Sequence, residues 1–138
     1  MNSEATERRD GSRRRAAAVG LLLLLVSCGQ DPAQQAAEEA KAVASWAATA
    51  AMAGEAWAGG AVTREYASDT LGSVLESLAR EEGRAASLPP DARGRLTEKL
   101  GKVKAAVGEL GRAVEGGDRG AVKDLAARLD DEARALRQ

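Results

Sequence analysis

Three dipeptides cut most of this chain into lengths that suit helices: Gly59-Gly60, Pro89-Pro90 and Gly116-Gly117. Glycine adopts the left-handed conformation that closes a helix C-terminus without steric penalty, and proline restricts the residue before it and lacks the N–H that a helix interior needs. Between these breaks apolar residues recur at steps of three and four, the period of one helix face, and no stretch alternates with the period of two that a half-buried strand requires. The chain is therefore predicted to be all-α, with helices over about 33–58, 63–88, 90–115 and 118–137. One uninterrupted rod is disfavoured by the same three breaks.

Each segment carries its own signals. Asp31-Pro32-Ala33-Gln34 opens the first helix: Asp31 accepts from the first-turn N–H groups, Pro32 suits the first helical position, and Gln34 stands where a capping box places its reciprocal partner. Half of the 26 residues from Ala33 to Ala58 are alanine, the best intrinsic helix former. Val43, Trp46, Ala50, Ala53 and Trp57 fall on one face. The second segment lines up Ala67, Leu71, Val74, Leu78 and Ala85, thickened by Tyr66 and Leu75. The third has the cleanest pattern, Leu96, Leu100, Val103, Val107, Leu110 and Val114, a narrow stripe that predicts shallow-angle packing against neighbouring helices. Asp118 caps the fourth, with Val122, Leu125, Leu129, Ala133 and Leu136 on one side. Four amphipathic helices with short connections should pack as an up-down-up-down bundle over residues 33–138.

Ahead of the bundle lies a different kind of segment. Arg13-Arg14-Arg15 precede Ala16 to Val26, an apolar run of eleven residues, and then Ser27 and Cys28. Eleven residues of helix cover ~17 Å against a hydrocarbon slab of ~30 Å, so the run is built as a removable export signal and poorly as a permanent span. Leu25-Val26-Ser27-Cys28 resembles the lipobox of bacterial lipoproteins. The resemblance implies a diacylglyceryl group on the Cys28 sulfur, cleavage between Ser27 and Cys28, and acylation, commonly by palmitate, of the new amino terminus. Residues 1–27 are then a signal peptide and 28–32 a lipidated end with a short tether. The residue after the cysteine is Gly29 where an aspartate would signal inner-membrane retention, which leans towards the periplasmic face of the outer membrane in a cell that has two membranes. Ser12-Arg13-Arg14 faintly resembles a twin-arginine signal, but Ala16 and Ala17 replace the residues that usually follow, and general export is the preferred route.

Composition then narrows the chemistry. Removing 27 of 138 residues leaves 111, enough for one modest core. Five arginines and three acids leave with them, taking the formal charge from −1 to −3, unlike the basic balance of a nucleic-acid binder. Cys28 is the only cysteine and there is no histidine. Intramolecular disulfides, thiol–histidine catalysis and the usual zinc, haem and di-iron ligand sets are thereby excluded, and no metal or cofactor is expected.

Two groups of residues are candidates for contact with something else. Trp46, Trp57 and Tyr66, the only aromatics, can line a pocket for a small apolar ligand between the first two helices, although core filling is the preferred reading. Gly94, Gly101, Ala105 and Gly108 form a strip of small residues on one flank of the third helix, which suits close approach by another helix or a partner, with a compositional bias towards glycine as the plainer reading. The acid runs Glu38-Glu39, Glu81-Glu82 and Asp130-Asp131-Glu132 read as solvated faces. Arg80, Arg84, Arg93, Arg95, Arg134 and Arg137 gather at one end of the bundle, where they can face lipid headgroups, with the complementing of the negative ends of the second and fourth helices by Arg80, Arg84, Arg134 and Arg137 as the preferred reading. The expected function is a non-enzymatic envelope lipoprotein, held to a membrane through lipidated Cys28, that binds another envelope protein or supports an assembly. A bundle that binds small apolar ligands is the alternative.

Overall fold

A computed structural model of the chain describes residue 29 and residues 31–138, so the expectations for the export signal and for Cys28 lie outside the described residues. Four helices make up the described part: α1 (Pro32–Ala58), α2 (Arg64–Ala85), α3 (Pro90–Glu115) and α4 (Arg119–Leu136), with no strand among the described residues.

The breaks act through specific caps. After α1 the N–H of Gly60 bonds to the Trp57 carbonyl and that of Ala61 to the Ala56 carbonyl, with Gly60 at φ 79°; after α3 Gly117 and Asp118 bond to Val114 and Ala113 in the same way, with Gly117 at φ 74°. This paired arrangement satisfies carbonyls that the helix leaves open and needs a left-handed residue at its centre. The Thr63 side chain accepts from the Tyr66 N–H to start α2, and Asp118 accepts from Ala121 to start α4. α2 stops at Ala85, short of the expected 88: the Ser87 hydroxyl and N–H both donate to the Arg84 carbonyl, and Leu88 turns into the core ahead of the prolines.

Neighbouring helices run antiparallel. Glu82 and Ser68 of α2 meet Lys104 and Glu115 of α3, so one helix rises as the other descends. Ala58 and Gly54 of α1 lie beside Arg119 and Val122 of α4 in the same opposed sense. Every consecutive pair packs, α1 and α4 close the ring, and α1 also packs on α3 across the diagonal while α2 and α4 stay apart. The result is a four-helix bundle pinched along one diagonal.

The pinch has a local cause. α1 buries Val43, Ala44, Ala47, Ala50, Ala51, Ala53, Gly54, Trp57 and Ala58, which is two adjacent lines and not the single face its large residues suggest. Side chains this small let the helix axis approach three neighbours at once. Gly54 marks the tightest place: a Cβ there would stand 3.0 Å from Leu110 Cδ1 and 3.4 Å from Val122 Cγ1. The bulk comes from the other helices, whose Leu71, Leu78, Leu100, Leu110 and Leu129 are fully buried. Each contributes about 1.5–3 kcal/mol of hydrophobic stabilisation.

Candidate functional site

Among the described residues two large apolar side chains stand in solvent, Met52 at 69% exposure and Tyr66 at 59%. They share one depression. Thr49, Met52, Ala53 and Ala56 of α1 line it from one side, Val62, Tyr66 and Thr70 from the other, around about 300 Å³ of open space. The local sequence explains the position. Met52 lies on the α1 flank opposite the buried alanines, and Tyr66 sits in the first turn of α2, where the Thr63 cap fixes its backbone. Thr49 and Thr70 turn their hydroxyls back onto the Ser45 and Tyr66 carbonyls, so each leaves its methyl for contact. α1 carries no ionisable residue from Ala42 to Gly54. The depression therefore has an uncharged floor, and Glu55, Glu65 and Asp69 are the charges nearest to it in sequence. A surface of this kind suits an apolar protein contact better than chemistry, since no carboxylate, ammonium or guanidinium group lines it.

The expected aromatic face is divided among different surroundings. Trp57 is buried in the core at the end of α1, where the Arg119 guanidinium lies 5.3 Å from the ring centroid and also donates to the Ala58 carbonyl at 2.9 Å. That cation closes the end of α1 twice over, as a cap on an open carbonyl and as a partner of the indole face. Trp57 borders a second open depression, of about 460 Å³, with Thr63, Arg64, Glu65, Gly117 and Arg119. Trp46 is half-buried against the core and lines neither depression. Tyr66 is thus brought together with Met52 and not with Trp57.

The glycine strip of α3 faces open space. A Cβ at Gly94 or Gly101 would meet nothing within 4 Å, and at Gly108 only the tip of Arg112 at 3.9 Å. Ala105 between them is exposed. None of the described helices approaches the strip, whereas the glycine that does accept a neighbour, Gly54, is one that sequence reasoning passed over. A signal was present: Ala47, Ala51, Gly54 and Ala58 recur at steps of four, three and four, but among so many alanines the line does not stand out.

Three of the six arginines expected near one end of the bundle are engaged by neighbouring side chains. Arg84 pairs with Glu81, Arg134 with Asp130 and Asp131, and Arg80 donates to Ser77. On the exposed face of α3, Lys102 and Glu98 pair at 3.0 Å, which holds the Glu98 carboxyl below its ordinary range and the Lys102 ammonium above it. No group of three or more metal-ligating side chains occurs among the described residues, and no described helix is long and apolar enough to cross a membrane. No protein-family model matches the chain, and comparison with curated proteins and with solved structures finds none that resembles it.

Proposed function

We propose that this chain is a lipid-anchored envelope lipoprotein whose helical bundle serves, without catalysis, as a contact module for another envelope protein. The anchor rests on the order Leu25-Val26-Ser27-Cys28 behind a basic and then an apolar run, with residues 1–27 removed and Cys28 acylated. Two or three acyl chains at ~0.8 kcal/mol per buried methylene give firm attachment without help from a basic patch. α1 begins at Pro32, and extended residues reach ~3.5 Å each, so a lipid on Cys28 holds the start of α1 close to the bilayer surface. The single observation that carries the contact role is that Met52 and Tyr66, the two large apolar side chains in solvent among the described residues, fall in one uncharged depression between α1 and α2.

The small-ligand reading draws less support, because Trp57 is committed to the core and to Arg119, and Tyr66 lies elsewhere. Two measurements test the proposal. Replacing Cys28 by serine is expected to leave the precursor uncut and without acyl groups in the mass spectrum of its N-terminal peptide; unchanged cleavage at the same bond removes the anchor. A photo-crosslinking residue placed at 52 or 66 in whole cells should recover one envelope protein repeatedly, and the same residue at 101 should not. Equal recovery from all three positions overturns the contact surface.

A further inference from the structure

The described residues bury two polar side chains in the core, Ser77 at 4% exposure and Glu81 at 5%, one turn apart on α2. Ser77 is satisfied, donating to the Ser73 carbonyl at 2.9 Å and accepting from Arg80 Nη2 at 2.9 Å. Glu81 accepts from Arg84 Nη1 through both oxygens, at 3.3 and 3.4 Å. Glu39 reaches the same place from the second turn of α1. Its Oε2 is buried with no hydrogen-bond partner while the residue as a whole is half-buried, and the side chain it interacts with across the helix interface is the Glu81 carboxyl.

Two carboxylates in this arrangement repel if both are ionised, and Arg84, itself largely in solvent, offsets one of the two charges. A single proton resolves both difficulties. Placed on Glu39 it converts the orphaned oxygen into an O–H that donates to Glu81, and it leaves one negative charge for Arg84 to balance.

We infer that Glu39 and Glu81 form a proton-held clasp between α1 and α2, closed while Glu39 carries a proton and loosened at the first turns of α1 when that proton leaves. The surroundings support it. Burial first, then the hydrogen bond to Glu81 and its charge, raise the Glu39 carboxyl above its ordinary value of 4.5; Arg84 opposes this and Glu38 adds to it slightly. These charges belong to α1 and α2. α3 brings Arg95 and Lys99 to a different flank of α1, beside Ala36 and Ala40. On α4, Arg134 is taken by Asp130 and Asp131, and Arg137 stands at the helix end. Because the folded chain holds the proton more tightly than the unfolded one, the clasp contributes fully below about pH 4.5, and its contribution is lost as pH rises through the raised folded value.

The test is Glu39→Gln in the full chain, an isosteric change whose amide donates to Glu81 at every pH. Amide-exchange protection over residues 36–43, expressed against the intrinsic rates, is followed from pH 4 to pH 8. The wild type should lose protection there relative to residues 54–58, by up to about tenfold per pH unit within the titrating interval, while Glu39→Gln stays flat. Glu38→Gln, which removes an exposed charge next door, should keep the wild-type loss of protection and shift its midpoint only slightly. Parallel profiles for wild type and Glu39→Gln overturn the clasp. Equal flattening by Glu38→Gln also overturns it, by assigning the effect to net charge.

Discussion

α1 and α3 are nearly equal in length, run parallel across the diagonal of the bundle and end in the same two-glycine cap, yet they hold the fold together by opposite means. α3 presents a narrow stripe of Leu and Val and covers the rest of its surface with ten ionisable residues. α1 has four ionisable residues and buries nine positions, of which only Val43 and Trp57 are large. Both helices touch all three others, and α1 does so with far less apolar bulk. Close packing depends on interdigitation, and small residues gain contact by letting neighbours approach, where large ones gain it by reaching out. The glycines of the two helices carry the same contrast, Gly54 meeting Leu110 and Val122, and Gly101 meeting nothing within 4 Å.

The sharpest way to break this comparison is to add bulk at Gly54. Gly54→Leu should destabilise the bundle by about 3 kcal/mol, as overpacking against Leu110 forces side chains from their preferred rotamers. Leu110→Ala alone should cost about 2–5 kcal/mol through the cavity it leaves. Combining the two should cost less than the sum of the singles by about 0.5–3 kcal/mol, since each change makes room for the other; strict additivity in chemical denaturation would mean that the two positions do not share space.

The opposite outcome is expected on α3. Gly101→Ala and Gly108→Ala together should raise stability by about 1–2 kcal/mol, the ordinary helix-propensity gain at positions with room for a methyl group. A loss of stability in thermal unfolding would place a close neighbour on the strip. The smallest effect belongs to the end of α1. Arg119→Ala should cost about 1 kcal/mol by removing both the contact with the Trp57 ring and the bond to the Ala58 carbonyl, while Arg119→Lys should recover part of it through charge alone. Equal losses in the two variants would assign the contribution to the planar guanidinium.

Much of the fold was legible because its signals are local. Gly59-Gly60 and Gly116-Gly117 require left-handed residues, Pro89-Pro90 forbids continuation, Asp118 offers a cap, and the Leu96 to Val114 stripe marks its own buried side. The second buried line of α1 was not legible, since alanine is compatible with core and surface alike and its burial is decided by what approaches it. The candidate site was legible only in part. Tyr66 was singled out, but as a partner of Trp57; Met52, a single residue on an exposed flank, gives no periodic signal. Glu39 and Glu81 read as members of solvated acid runs, because nothing within either helix reveals a carboxyl across the interface.

The amino-acid sequence by itself determined that residues 32–138 form four helices, within a few residues where each ends, and which faces of α2, α3 and α4 turn inward, because caps, breaks and periodicity act over a few residues and need no partner. Only the tertiary structure decided that α1 lies against all three neighbours, that Gly54 admits Leu110, that Tyr66 joins Met52, and that two acids from different helices meet around one orphaned oxygen. Those outcomes depend on residues distant in the chain arriving at the same place, and on alanine and glycine, whose small size leaves their surroundings to be set by whatever packs against them.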